Sequence, residues 1–222
     1  MNPQSVFTGA AISAEVKNKV LRNTYKLLSM TLLFSGLMAA FSMAIALPPA
    51  MSLFASIGAI VLVWFVLPKT ANSTAGIFVV FGFTGLLGLG LGPVLSQYLA
   101  IPNGSQIIMT AMGGTGAIFL GLSGYALVTK KDFSFLGGML FAGMIVVLIA
   151  ALANIFFAIP ALSLAISGAV ILIMSGFILF DTSRIVNGGE TNYILATASM
   201  YLSIYNIFVS LLHILGVFSN DD

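Results

Sequence analysis

No cysteine occurs in the 222 residues, which excludes disulfides, thiol catalysis and thiolate metal sites. The same absence suits a chain resident in a cytoplasmic membrane and argues against a secreted disulfide scaffold. Charge is nearly as scarce. Eight basic and six acidic residues make up 6% of the chain, against 59% hydrophobic residues. A soluble domain of this size cannot hide so much apolar surface, so the solvent must be lipid. The net charge of +2 is clustered rather than spread, which implies orientation in a membrane and excludes a nucleic-acid surface. No catalytic constellation, metal-ligand cluster or cofactor motif is supported, so no enzyme activity and no bound cofactor is expected.

What fills the chain instead is apolar runs. Seven of them approach the ~20 residues that a helix needs to cross ~30 Å of hydrocarbon. They fall at about 27–47, 50–67, 75–98, 107–128, 135–158, 160–182 and 193–217. Pro48-Pro49, Pro68, Pro102 and Pro160 punctuate the gaps, where helices should stop or start. The expected architecture is an all-α integral membrane bundle of seven helices over 27–222, preceded by a basic tail, 1–26.

Lys17, Lys19, Arg22 and Lys26 precede the first span, Lys69 follows the second, Lys130 and Lys131 follow the fourth, and Arg184 follows the sixth. With seven spans all eight basic residues fall on one side, which should be cytoplasmic. The amino terminus is then inside, and the carboxyl terminus with Asp221 and Asp222 is outside. The basic start, the first apolar run and Ala44-Ile45-Ala46 resemble a signal-cleavage pattern. That run is too long for a signal core and another span follows at once, so it is read as a retained span. In the tail, Ile12, Val16 and Val20 recur every four residues beside Lys17, Lys19 and Arg22. This fits a short basic helix on the membrane surface, or else a disordered topogenic tail.

Polar residues inside apolar runs are the candidate functional groups. Asp181 directly continues the run Ile159 to Phe180, and an ionisable group in or near lipid is a functional candidate by default. The competing reading places it at the water interface, ending the helix. Ser199, Ser203, Asn206, Ser210 and His213 are spaced four, three, four and three, on one face of span seven, which should turn toward the bundle interior. Asn154 in span five is a further candidate for that network. Glycines at 82, 85, 88, 90 and 92, and the set Gly113, Ala117 and Gly121, read as close-packing surfaces between helices. Gly121-Leu122-Ser123-Gly124 with the sole histidine, His213, suggests an intramembrane Ser–His protease. Depth speaks against it, because the two residues lie near opposite ends of their spans, roughly 20 Å apart.

Several separate segments agree in order and spacing with one family. Phe180-Asp181-Thr182-Ser183-Arg184-Ile185, Gly188-Gly189-Glu190-Thr191-Asn192-Tyr193 and Tyr201-Leu202-Ser203-Ile204-Tyr205-Asn206 resemble the carboxyl-terminal signature of the Bax inhibitor-1 family. Lys17 to Leu33, with Val20 to Tyr25 inside it, and Lys130 to Met139 resemble its bacterial YccA branch. The resemblance implies a bacterial inner-membrane protein of seven helices, the seventh near the centre. It implies two activities: restraint of the membrane-bound AAA protease FtsH, and a pH-sensitive calcium leak governed by paired aspartates on helices six and seven. Asp181 matches the first aspartate. Ser203 and Asn206 stand in the matching context of the second, and Ser203 cannot ionise. Glu190 could reach back to replace the missing acid, or Arg184 could pair with Asp181. For a protease partner the resemblance points to the bundle and the tail, with Glu15, Lys17, Lys19 and Arg22 at the partner-facing end.

Overall fold

The structure is a computed structural model that describes the backbone of residues 3–219 and the side chains of residues 15–219. The side chain of Ile12 in the tail stripe and the terminal Asp221 and Asp222 lie outside the described residues. Helices account for nearly all of it: α1 Pro3–Ala44, α2 Pro49–Thr70, α3 Ala75–Leu99, α4 Gly104–Thr129, α5 Leu136–Phe157, α6 Pro160–Asn187 and α7 Tyr193–Ser219. Among the described residues these seven are long and apolar enough to cross a membrane, as the hydropathy pattern predicts.

Helix α7 sits at the centre. It packs against α1, α3, α4 and α6, while α2 lies mainly on α3 and α5 on α6 at the periphery. The core divides by depth. Towards the end that carries Lys17, Lys69, Lys131 and Arg184, here the basic end, Leu28, Val80, Phe83, Met200 and Tyr201 pack between α1, α3 and α7. Towards the other end Ala39, Leu91, Ile107 and Leu212 pack between α1, α3, α4 and α7.

The first helix shows no break at residue 26. Val20 and Thr24 are buried, and the Thr197 hydroxyl of α7 bonds to the Thr24 carbonyl at 3.3 Å. From Glu15 onward the basic segment is thus a continuation of α1 docked on the bundle, rather than a separate surface helix or a loose tail.

Helix α3 is gripped from two sides through its glycines. Cβ atoms at Gly85 and Gly88 would strike Phe34 and the Ser35 carbonyl of α1, and one at Gly90 would meet the Ser52 carbonyl of α2 at 3.3 Å. The glycine surface predicted for span three is real. The one predicted for span four is not an internal contact: Cβ atoms at Gly113 and Gly121 would meet nothing within 4 Å. Four-residue spacing identifies a helix face but not the neighbour it turns to.

Two prolines sit inside helices. Pro68, predicted to mark a gap, lies within α2, where a π-helical turn over Leu62–Val66 absorbs the clash that its ring makes in a regular helix. Pro93 lies within α3 and deprives the Leu89 carbonyl of its N–H donor. The Ser42 hydroxyl of α1 supplies the replacement at 2.8 Å. Ser42→Ala should therefore destabilise the bundle by about 0.5–1.5 kcal/mol. In a Pro93→Ala background, where the helix regains its own donor, the same change should cost almost nothing. A double-mutant cycle on thermal unfolding in detergent reads this coupling, and equal costs in both backgrounds would refute it.

Candidate functional site

The site begins with the way α6 ends. The helix runs past Asp181 to Asn187 and stops at Gly188, whose φ of +83° is the left-handed conformation that glycine adopts without strain. Asp181 is thus inside the helix, and only 8% exposed, rather than at its terminus. The helix continues through a polar run because each side chain meets a different neighbour. Asp181 Oδ2 accepts a 2.6 Å bond from Ser199 Oγ of α7. Thr182 Oγ1 is 3.2 Å from Ser123 Oγ of α4, which in turn bonds to the Tyr25 hydroxyl of α1. Ser183 Oγ accepts the Phe133 N–H of the α4–α5 loop at 3.2 Å. The Asn187 amide reaches the Lys131 carbonyl at 3.4 Å. Asp181 to Asn187 is therefore a hub on which α1, α4, α7 and a loop converge.

Arg184 and Glu190 resolve in a way that neither alternative anticipated. They pair with each other at 3.4 Å, and Arg184 also bonds the Gly189 carbonyl at 2.9 Å and lies over the Phe180 ring. The other Glu190 oxygen accepts the Asn192 N–H at 2.8 Å. Glu190 therefore braces the α6–α7 loop rather than replacing an acid beside Asp181. Asn192 then caps α7 through the Ile194 and Leu195 N–H groups, and its amide ties the loop to Ala71 and Asn72 at the end of α2.

The tail meets this loop directly. The Lys17 side chain crosses Gly188 so closely that a Cβ there would lie 2.5 Å from Lys17 Cε. A cavity of about 180 Å³ lies between Val16, Lys17 and Val20 on one side and Gly188, Glu190 and Thr191 on the other. Glu15, Lys19 and Arg22 are exposed beside it. In the adjoining α4–α5 loop, hydrogen bonds from Ser134 hold the Asp132 carboxyl below the usual carboxylate range.

The polar stripe of α7 faces inward, with Ser203 and Ser210 buried. It is not continuous. Ser203 and Asn206 bond back to carbonyls of their own helix, those of Ser199 and Leu202. His213 Nδ1 meets Ser167 of α6 at 2.8 Å. Between the Asp181–Ser199 and Ser167–His213 contacts, the α6–α7 interface is filled by Met174, Ile178 and Ile207. Asn154 stands apart, closing the α5–α6 turn through Ser163 and the Ile159 N–H. Ser123 is engaged by Tyr25 and Thr182, and His213 by Ser167, so the suspected protease pair does not meet.

The partner of Asp181 is thus Ser199, one turn before Ser203. Sequence reasoning placed Ser199 in the stripe without singling it out. Tyr25 and Thr182 carried no signal of this contact, and Ser123 stood out only through the protease pattern, since a hydroxyl in a span announces neither its depth nor its neighbour.

Comparison with known proteins identifies relatives along nearly the whole chain. The family described as inhibitor of apoptosis-promoting Bax1 matches residues 17–220. An Escherichia coli K12 protein named modulator of FtsH protease YccA is 55% identical over 204 residues, 92% of each chain. An uncharacterized membrane protein of Vibrio cholerae is 55% identical over 205 residues, again 92% of each. An uncharacterized Pseudomonas aeruginosa protein is 48% identical over 203 residues, 91% of each. A match across nearly the whole chain, on a bundle whose conspicuous polar hub lies in the signature segment itself, means that this membrane protein belongs to the Bax inhibitor-1 family.

Proposed function

We propose that this protein modulates the membrane-bound protease FtsH. The observation that carries the reading is the 55% identity, over 92% of both chains, to the relative named as a modulator of that protease. The exposure of Glu15, Lys19 and Arg22 on the basic end of α1 supports it, because these side chains are free to meet another protein. The gathering of all eight Lys and Arg residues at one end supports a cytoplasmic amino terminus in a bacterial inner membrane. In that orientation the residues preceding Glu15 form a handle for a cytoplasmic ATPase.

Deleting Met1 to Ser13 should abolish modulation while the bundle elutes unchanged from a sizing column. The assay is the rate at which purified FtsH in proteoliposomes degrades a membrane substrate, with parent, truncated protein or none. Equal slowing by parent and truncated protein would remove the handle from the mechanism.

One observation favours a second reading, cation passage along the α6–α7 interface: Asp181 is a carboxylate within a span, bonded to Ser199 of the facing helix. Calcium would find one carboxylate there, since Glu190 is engaged by Arg184 and Asn192.

A further inference from the structure

Helix α2 carries a gap in its hydrogen bonding that nothing inside the bundle fills. The Leu67 N–H bonds to the Leu62 carbonyl, and the Ala71 N–H bonds to the Leu67 carbonyl. Between these bonds lie the carbonyls of Val63, Trp64, Phe65 and Val66. Only the N–H groups of Lys69 and Thr70 are there to serve them, because Pro68 has none. The Thr70 hydroxyl covers the Val66 carbonyl at 2.9 Å. Two N–H groups and one hydroxyl thus stand against four carbonyls, which leaves at least one among Val63, Trp64 and Phe65 without a donor of its own in the helix, among the described residues.

Depth makes the gap costly. The helix has 22 residues, close to the length that spans the hydrocarbon. Phe65 to Val63 precede the helix end at Thr70 by about 7–10 Å at ~1.5 Å per residue, which places these carbonyls below the headgroups. Lipid chains offer no donor, and unserved backbone is tolerated in membranes only where protein or a wet cavity meets it. The surrounding side chains are open: Trp64 is 71% and Phe65 62% exposed, and among the described residues α3 is the only substantial neighbour of α2. Helix α5 is just as peripheral and apolar, but it is a regular α-helix throughout and needs nothing beyond lipid. π-helical turns also recur at functional sites, where their displaced backbone meets a ligand or partner.

We propose that the basic half of α2 is a docking face for one transmembrane helix of a protein partner. That helix places a side-chain donor, from Ser, Thr, Asn or Gln, on the open carbonyl and packs against Trp64 and Phe65. The inference rests on the reading above in one respect: the partner is the modulated protease. It adds a contact within the membrane, separate from the cytoplasmic end of α1.

The test replaces Phe65 by the photoreactive p-benzoylphenylalanine, with Phe141 of α5 as the control, since Phe141 is 65% exposed at a similar distance from the basic end. Each variant is irradiated in proteoliposomes with purified FtsH. The expected result is an FtsH adduct at least about tenfold stronger from position 65 than from position 141. Pro68→Ala, which returns an N–H to the helix, should lower the FtsH that co-purifies by about three- to tenfold, the value of one interhelical hydrogen bond in lipid. Should that variant not fold, the adduct pattern on the parent background decides alone. FtsH that co-purifies while positions 65 and 141 label equally, or while 65 does not label, overturns the docking face and leaves the modulator reading standing. Absence of both co-purification and adducts overturns both.

Discussion

Gly88→Leu should yield no folded protein, while Gly113→Leu should be indistinguishable from the parent in yield and thermal stability. Both glycines lie in the middle of apolar helices, and a composition-based view treats the two changes alike. The difference is what a side chain would meet. At Gly88 it is the main-chain carbonyl of Ser35, fixed in α1, which cannot rotate away. Relief requires α1 and α3 to separate, and that would also break the bond from Ser42 to the Leu89 carbonyl and pull apart the two partners of the Tyr201 hydroxyl, Ser35 of α1 and the Thr84 carbonyl of α3. Even Gly88→Ala should cost about 1–3 kcal/mol, the usual range for overpacking. Gly176→Ala belongs between the extremes. Its Cβ would also collide, but with the Leu140 side chain, which can change rotamer. Size-exclusion profiles and melting curves in one detergent give the order. Equal behaviour of the Gly88 and Gly113 variants would mean that α1 and α3 do not pack this closely.

The same pair shows where sequence stops informing. Hydropathy located all seven spans, because the length of an apolar run is a local property that lipid thickness selects. Gly88 and Gly113 both sit in small-residue stripes, yet one faces α1 and the other faces outward, and no periodicity states which. The sixth span was expected to end at Thr182, where polarity begins. It continues to Asn187 because Asp181, Thr182 and Ser183 find partners on α7, α4 and the α4–α5 loop. Those partners lie 18, 59 and 50 residues away in sequence, so the polar run reads as an interface until the neighbours are in place. Pro68 was misplaced for a related reason. A proline ends a regular helix, but a π-helical turn ahead of it lets the chain carry on. Arg184 and Glu190 were legible as charges near Asp181, but not as each other's partners, because the answer depends on the tight turn that Gly188 makes.

Ile207→Ser should raise calcium flux into sealed liposomes by about tenfold or more if the α6–α7 interface is a cation pathway. Asp181→Asn in the same background should return the flux to the protein-free level. The barrier is the dry segment between the two polar contacts. Met174, Ile178 and Ile207 are buried there, with Ile207 fully so. A constriction of this kind blocks ions by excluding water rather than by filling every gap. Replacing one fully buried isoleucine by serine removes about 1.5–3 kcal/mol of the preference for dryness, and about 1.4 kcal/mol is a factor of ten. The change also weakens packing, so the variant must first elute as a folded species. Dependence on Asp181 is what separates a pathway from a damaged bundle. A leak through disordered protein would pass Asp181→Asn unchanged, whereas a route along this interface must cross the one carboxylate that α6 presents to α7. Flux in Ile207→Ser that stays at the protein-free level would end the pathway reading. The hub at Asp181 would then stand as the structural junction that holds α1, α4 and α7 in place for a partner at the basic end.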